Sequence, residues 1–249
     1  TLIKELAAQF PSYINSLALK KTDGTLLNAD NYLDYIKQII IRSAQDAKDA
    51  GADIPDSIGF TFSSEAAFQA PINGGVGMAH PAGGMPPMMM GGRKRVGEYI
   101  TDLDMNKYLN YVVSTQALKG VPSFDSYNVD GAAASGENGE FGNEQGSDVN
   151  FTAWAAAKTG STLSDEVKEN VRLLNPMYFI GDTATFVAPH WYIRHGARDR
   201  DTAFPIAINL ATKLQNAGKD VNFKLPWNRP HSGDYALKEL FSWIAKIVK

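Results

Sequence analysis

The chain contains no cysteine, which excludes disulfides, thiol nucleophiles and thiolate metal sites together. It does not fix a compartment, because many secreted proteins also lack cysteine. No apolar run reaches the roughly 18 residues that suggest a membrane-spanning helix. Neither sign of charge dominates: 24 basic residues face 27 acidic ones, for a net charge of −3. No basic stripe suited to a phosphate backbone is present, so nucleic acid is not an expected partner and a small molecule or neutral polymer fits better. The opening Thr1-Leu2-Ile3-Lys4 runs directly into a helical pattern without a basic-then-apolar leader. A chain that begins in mid-fold loses any such leader upstream, so localisation stays open. Also missing is a Gly-x-Ser-x-Gly nucleophile turn. Ser57, Ser63, Ser64, Ser114, Ser123, Ser135 and Ser232 all lack glycines two positions before and after.

What is present describes a globular protein, with 44% hydrophobic and 20% charged residues. Composition divides the chain near Asn175-Pro176 into an irregular part, residues 1–175, and a regular part, residues 176–249. In the first part, Leu2, Leu6, Phe10 and Tyr13 recur at helical spacing. Tyr32, Ile36, Ile39, Ile40 and Ala44 do so again behind Asn28-Ala29-Asp30-Asn31, which offers caps. A turn at Thr22-Asp23-Gly24-Thr25 joins these two helices. A third helix starts at Asp104 and buries Tyr108, Tyr111, Val112 and Thr115; a fourth begins at Ser164 and shows Val167, Val171 and Leu174. The intervening stretches are too polar and glycine-rich for a compact sheet, so this part reads as a helical, loop-rich cap. Residues 73–92 hold seven glycines, three prolines and five of the seven methionines, a composition that predicts a mobile loop. Residues 130–148 read as a second long loop, of the kind that often carries function.

The regular part reads as strand, helix, strand, helix. Residues 187–196 form the first strand, and Ala203, Phe204, Ile206, Ala207, Leu210, Ala211 and Leu214 line one face of a helix ending before Gly218. Residues 221–227 form the second strand, and Leu237, Leu240, Phe241, Ile244, Ile247 and Val248 mark the last helix. Short connections imply parallel strands with a right-handed crossover, and two strands alone cannot bury both faces. The rest of the sheet is therefore expected outside this sequence. Ligands of open parallel sheets bind beyond the carboxyl ends of the strands, where Asp199 and His231 both fall. There His231 suits a general base, and Asp199 suits the acid that holds its tautomer. Asp201 competes for that acid role, or caps the helix that begins near Thr202. His190 and His195 read as strand or packing residues, His80 has no partner in its loop, and neither a metal site nor a cofactor is expected.

The segment Arg194-His195-Gly196-Ala197-Arg198-Asp199-Arg200-Asp201-Thr202, followed by Leu225-Pro226-Trp227-Asn228-Arg229-Pro230-His231-Ser232-Gly233-Asp234-Tyr235, closely resembles the C-terminal part of bacterial tannases, gallate-ester hydrolases related to feruloyl esterases. The resemblance extends to Phe10-Pro11-Ser12-Tyr13-Ile14-Asn15-Ser16-Leu17, Lys119-Gly120-Val121-Pro122-Ser123-Phe124-Asp125 and Glu137-Asn138-Gly139-Glu140-Phe141-Gly142. It implies an α/β fold: the C-terminal portion of an α/β-hydrolase core in residues 176–249, preceded by a lid in residues 1–175. It makes Asp199 the triad acid, His231 the base, and Asp201, Lys119 and Glu137 the groups that hold galloyl ring hydroxyls, with Glu140 an alternative to Glu137. Phenolic hydroxyls donate to carboxylates and accept from an ammonium, which suits that trio. The expected partner is an N-terminal fragment of the same enzyme bearing the serine, from a chain cut within the lid, and the expected substrate is a phenolic ester. A feruloyl esterase, a prolyl-oligopeptidase-like peptidase with a different upstream domain, and a non-catalytic binding module stand as alternatives.

Overall fold

A computed structural model describes residues 2–63, 99–115, 125, 135–142 and 148–248. In chain order the elements are α1 (Leu2–Ser16), α2 (Tyr32–Asp49), β1 (Phe60–Ser63), β2 (Tyr99–Leu103), α3 (Met105–Ser114), α4 (Gly136–Glu140), α5 (Ala153–Thr159), α6 (Asp165–Leu174), β3 (His190–Arg194), α7 (Phe204–Asn216), β4 (Asp220–Lys224) and α8 (Leu237–Ile247). Packing gathers them into two compact units, Thr1–Thr115 with Ala188–Lys249, and Gln116–Val187. Among the described residues no helix is long and apolar enough to cross a membrane. The methionine-rich loop at residues 73–92 and Lys119 lie outside the described residues.

The first unit is built around α2 and α7. The apolar stripe read for α2 is buried as Tyr32, Tyr35, Ile36, Ile39, Ile40 and Ala44, joined by Ile41. Its tyrosines reach α7 with their hydroxyls, Tyr32 donating to Asn209 Oδ1 at 2.5 Å and Tyr35 meeting Thr212 Oγ1 at 3.0 Å. Both phenols are held protonated by burial, which raises their pKa. Ser43 donates to the Leu225 carbonyl just past β4. The turn between α1 and α2 closes through a bridge between Lys20 and Leu26, with Gly24 at φ +86°. Among the described side chains of α1, Ile14 is buried, whereas Leu6 and Tyr13 are exposed.

β3 and β4 run parallel in register, Trp191 opposite Val221 and Ile193 opposite Phe223. Both strands are shorter than the sequence suggests, because pairing ends where the chain turns into the loops that carry the site. Val221 and Phe223 on β4, with Leu225 beyond it, face the core beside α7. The other side of β3 meets α8 through Tyr192 against Trp243, ring centroids 5.4 Å apart, and through Arg194 paired to Glu239 at 3.1 Å. No residue of α8 is fully buried, and Phe241 is 65% exposed.

The sequence reading of residues 1–175 as helices and loops needs correction at one place. β1 and β2 form an antiparallel pair from Phe60 opposite Leu103 to Ser63 opposite Tyr99, with a register irregularity between Thr61 and Phe62. Runs of four and five residues set far apart in sequence offer too few alternations to stand out. Asp104 caps α3 as anticipated, accepting from the backbone of Asn106 and Lys107. Tyr108 and Val112 are buried, but Tyr111 is half-covered and Thr115 exposed.

The second unit holds α4, α5 and α6. Ser164 caps α6 through the Val167 amide, and Thr152 caps α5 through Ala155. Val167 is buried, but Leu174, assigned to the same stripe, is 51% exposed. Part of the loop read at residues 130–148 is α4, organised around buried Asn138. That side chain accepts from the Ser135 amide and hydroxyl and donates to Asp125 Oδ1 and the Val149 carbonyl.

Candidate active site

Two loops leave the carboxyl ends of β3 and β4 and cross. Their meeting requires Gly196: a Cβ there would run into the Arg229 and Pro230 carbonyl oxygens. Backbone hydrogen bonds stitch the crossing, from Ala197 N to Pro226 O at 3.0 Å and from Arg198 N to Arg229 O at 2.9 Å. From the core side the loops rest on an aromatic cluster. Tyr108 lies with its ring centroid 5.7 Å from Phe60, 6.3 Å from Phe204 and 6.4 Å from Trp227, and its hydroxyl donates to the Ala197 carbonyl. Tyr111, also on α3, donates to Asn228 Oδ1 at 2.8 Å. Asn228, Ser232 and Ala236 all adopt positive φ, near +54°, +56° and +68°. Left-handed non-glycine residues are costly, so this loop depends on those ties.

Asp199 and His231 meet at this crossing. The Asp199 carboxylate is buried, and its Oδ1 accepts from the Asp201 amide at 2.8 Å and the Thr202 amide at 2.9 Å. Its Oδ2 lies 3.0 Å from His231 Nδ1. Two backbone donors fix the carboxylate's plane, so Oδ2 is held toward the imidazole. Because Nδ1 is engaged by the acid, Nε2 is the ring atom free to exchange a proton, on a side chain 45% exposed. Thr202 Oγ1 stands 3.4 Å from the same Nδ1. This is the division of labour an acid–base pair needs, one buried orienting carboxylate and one accessible imidazole.

Asp201 lies beside this pair, and one ligand-type atom from each of Asp199, Asp201 and His231 falls within 4.8 Å of the others. The Arg200 guanidinium approaches Asp201 Oδ1 at 3.5 Å. Asp201 does not cap the next helix, since the N-cap of α7 is Ala203. Of the two aspartates, Asp199 is the one whose carboxylate contacts the imidazole, at 3.0 Å from Nδ1. Glu137 is half-buried on α4 and Glu140 exposed on the same helix, both in the second unit. Sequence reasoning gave no site role to Thr202, Gly196 or Tyr108; only the glycine directly behind a strand offered a local signal of one.

His190 pairs with Asp220 at 2.8 Å at the opposite end of the strands, in keeping with the strand role read for it. His195 is buried, 6% exposed, with its ring centroid 5.4 Å from Phe204. Burial pulls its pKa below the ordinary histidine value, against an opposing pull from Asp199 and with a small reinforcement from His231.

No protein-family model and no curated protein matches the chain. Solved structures do. Tannase from Lactobacillus plantarum is 35% identical at a TM-score of 0.75, the match covering 98% of this chain and 45% of that one. The same enzyme in complex with ethyl gallate gives 35% identity and a TM-score of 0.74 over 98% of this chain and 46% of its own. Fusobacterium nucleatum tannase is 29% identical with a TM-score of 0.71, covering 99% of this chain and 45% of that one. The chain thus spans somewhat less than half the length of the tannases it matches, which accords with the partial correspondence read from its motifs. Over nearly all of its length the chain is thus similar in backbone, and at 29–35% identity in sequence, to part of the bacterial tannases.

Proposed function

We propose that this chain supplies the acid, the base and the ring-binding groups of a serine carboxylester hydrolase acting on galloyl and related phenolic esters. The nucleophilic serine comes from polypeptide outside these residues, corresponding to the rest of a tannase. The observation that carries the reading is the 3.0 Å contact between buried Asp199 and accessible His231. In the proposed reaction His231 Nε2 takes the proton from the serine hydroxyl as its oxygen attacks the ester carbonyl carbon. The same proton then passes to the departing alcohol, leaving a galloyl-serine. Water, deprotonated by the same nitrogen, cleaves that acyl-enzyme, releasing the carboxylic acid and restoring the serine hydroxyl. Asp199 stabilises the imidazolium formed in each half-reaction.

Residues 176–249 act as part of the catalytic core and residues 1–175 as the cap, and within the first unit α2 packs on α7. Asp201 accepts hydrogen bonds from ring hydroxyls. The Lactobacillus plantarum enzyme has been crystallised with ethyl gallate and with 3,4-dihydroxybenzoate, ligands that carry such hydroxyls. The two-stranded sheet and the open apolar residues Ile206, Leu237 and Phe241 suit a core that continues on the serine-bearing polypeptide. The test is to combine this chain with that polypeptide and follow methyl gallate and methyl benzoate hydrolysis. Turnover that requires both parts and favours gallate supports the proposal. Activity unchanged in His231→Ala, or equal rates on the two esters, counts against it.

A further inference from the structure

His195 is a buried titratable group at the site that the proposed reaction leaves unused. Its surroundings are specific. Nε2 lies 3.1 Å from the Thr202 carbonyl oxygen and 3.6 Å from Asp199 Oδ2, while Nδ1 lies 3.1 Å from the Gly196 carbonyl oxygen. A neutral imidazole carries one N–H, so the ring must serve one side. Each side offers one carbonyl acceptor at hydrogen-bond distance, Thr202 O to Nε2 and Gly196 O to Nδ1, and the Nε2 side also has the Asp199 carboxylate nearby at 3.6 Å, beyond hydrogen-bond range. The negative charge of that carboxylate favours the proton on the Nε2 side, where it is donated to the Thr202 carbonyl.

Thr202 is where this matters. Its amide donates to Asp199 Oδ1 at 2.9 Å, its carbonyl faces His195, and its hydroxyl stands 3.4 Å from His231 Nδ1. Fixing the Thr202 carbonyl fixes the segment whose amide orients the acid. The chain of contacts runs from His195 through Thr202 to Asp199 and then to His231.

Resting on the acid–base reading of Asp199 and His231, we propose that His195 is a positioning residue: its Nε2–H, given to the Thr202 carbonyl, holds the turn from Gly196 to Thr202 so that the acid presents Oδ2 to the catalytic imidazole. His195 does not touch substrate. Its effect is on the fraction of enzyme in which the pair is aligned, so it acts on kcat and leaves KM in place.

The two amide substitutions separate this role from simple packing. Glutamine places an amide nitrogen near the position of Nε2, whereas asparagine reaches only that of Nδ1. In the enzyme assembled with its serine-bearing polypeptide, His195→Asn is expected to lower kcat on methyl gallate at least tenfold with KM unchanged. His195→Gln is expected to recover most of that loss. Equal effects of the two substitutions, or a loss confined to KM, overturn the proposal. Nitrogen-15 imidazole spectra of this chain give a second readout that needs neither turnover nor a variant. His195 should be neutral and protonated on Nε2 at pH 7, and protonation on Nδ1 or a charged ring there overturns the proposal as well. Should the assembled wild-type protein hydrolyse no phenolic ester, the functional reading fails by itself, and the tautomer decides His195 separately.

Discussion

Each of the two units encloses a buried carboxylate, and the two are used differently. In the second unit Asp125, 3% exposed, is saturated from within. Oδ1 accepts from the Asn138 and Asn150 amides at 2.9 and 2.8 Å, and Oδ2 from the Phe151 amide, the Thr152 amide and the Thr152 hydroxyl at 3.0, 2.7 and 2.7 Å. All of these donors are neutral and internal, so the group ties the segment at residues 149–152 to α4. In the first unit Asp199 has a similar depth but keeps one oxygen for an imidazole that reaches solvent. A carboxylate whose donors are all internal is an anchor; one that leaves an oxygen for a titratable, accessible partner is equipped for proton chemistry.

Substitutions should separate the two. The largest expected effect is at the pair: Asp199→Ala and His231→Ala should each lower kcat by about four orders of magnitude, as loss of triad members does, measured on methyl gallate with the assembled enzyme. Asp125→Ala reverses the pattern. Leaving up to five donors without their acceptor should cost about 3–5 kcal/mol of stability, read by chemical denaturation and by faster amide exchange at Phe151 and Thr152. Gly196→Ala comes next, because the added methyl pushes the acid loop off the histidine loop. A fall in kcat of about a hundredfold is expected from such a misplacement. Tyr108→Phe removes the donor to the Ala197 carbonyl and should cost about 1–2 kcal/mol in the same denaturation assay.

The smallest effect is a pH dependence. His195 has its folded pKa below its unfolded value of about 6.5, chiefly through burial, so the unfolded chain binds the extra proton first. Stability from this group is complete above the unfolded pKa and is lost as pH falls below it toward the folded value. Denaturation midpoints between about pH 7 and pH 5 should therefore fall less steeply in His195→Gln than in wild type.

Much of the architecture was legible where one face of a long element meets the core. The spacing of Tyr32, Ile36, Ile39, Ile40 and Ala44 declared α2, and the strand–helix–strand–helix order of the last third declared a parallel pair. In α1 the spacing marked the helix but not which face is covered: among the described side chains Ile14 is buried and Phe10 lies against Tyr32, while Leu6 and Tyr13 are exposed. The β1–β2 pair escaped because its strands are short and their partnership is decided at long range. At the site, Asp199 and His231 were visible as an acid and a histidine behind two strands. Their support was not. That Tyr108 reaches Ala197 from α3, that Thr202 serves both Asp199 and His231, and that Gly196 makes room for two carbonyls are facts of tertiary approach, with no local pattern to announce them.

The base role of His231 can be tested most directly by the rate at which a fluorophosphonate labels the serine of the assembled enzyme, since that attack needs the hydroxyl proton removed. Labelling that is fast in wild type and slowed at least a thousandfold by both His231→Ala and Asp199→Ala is the predicted result. A serine labelled at the same rate without His231, or no labelled serine at all, would contradict the account.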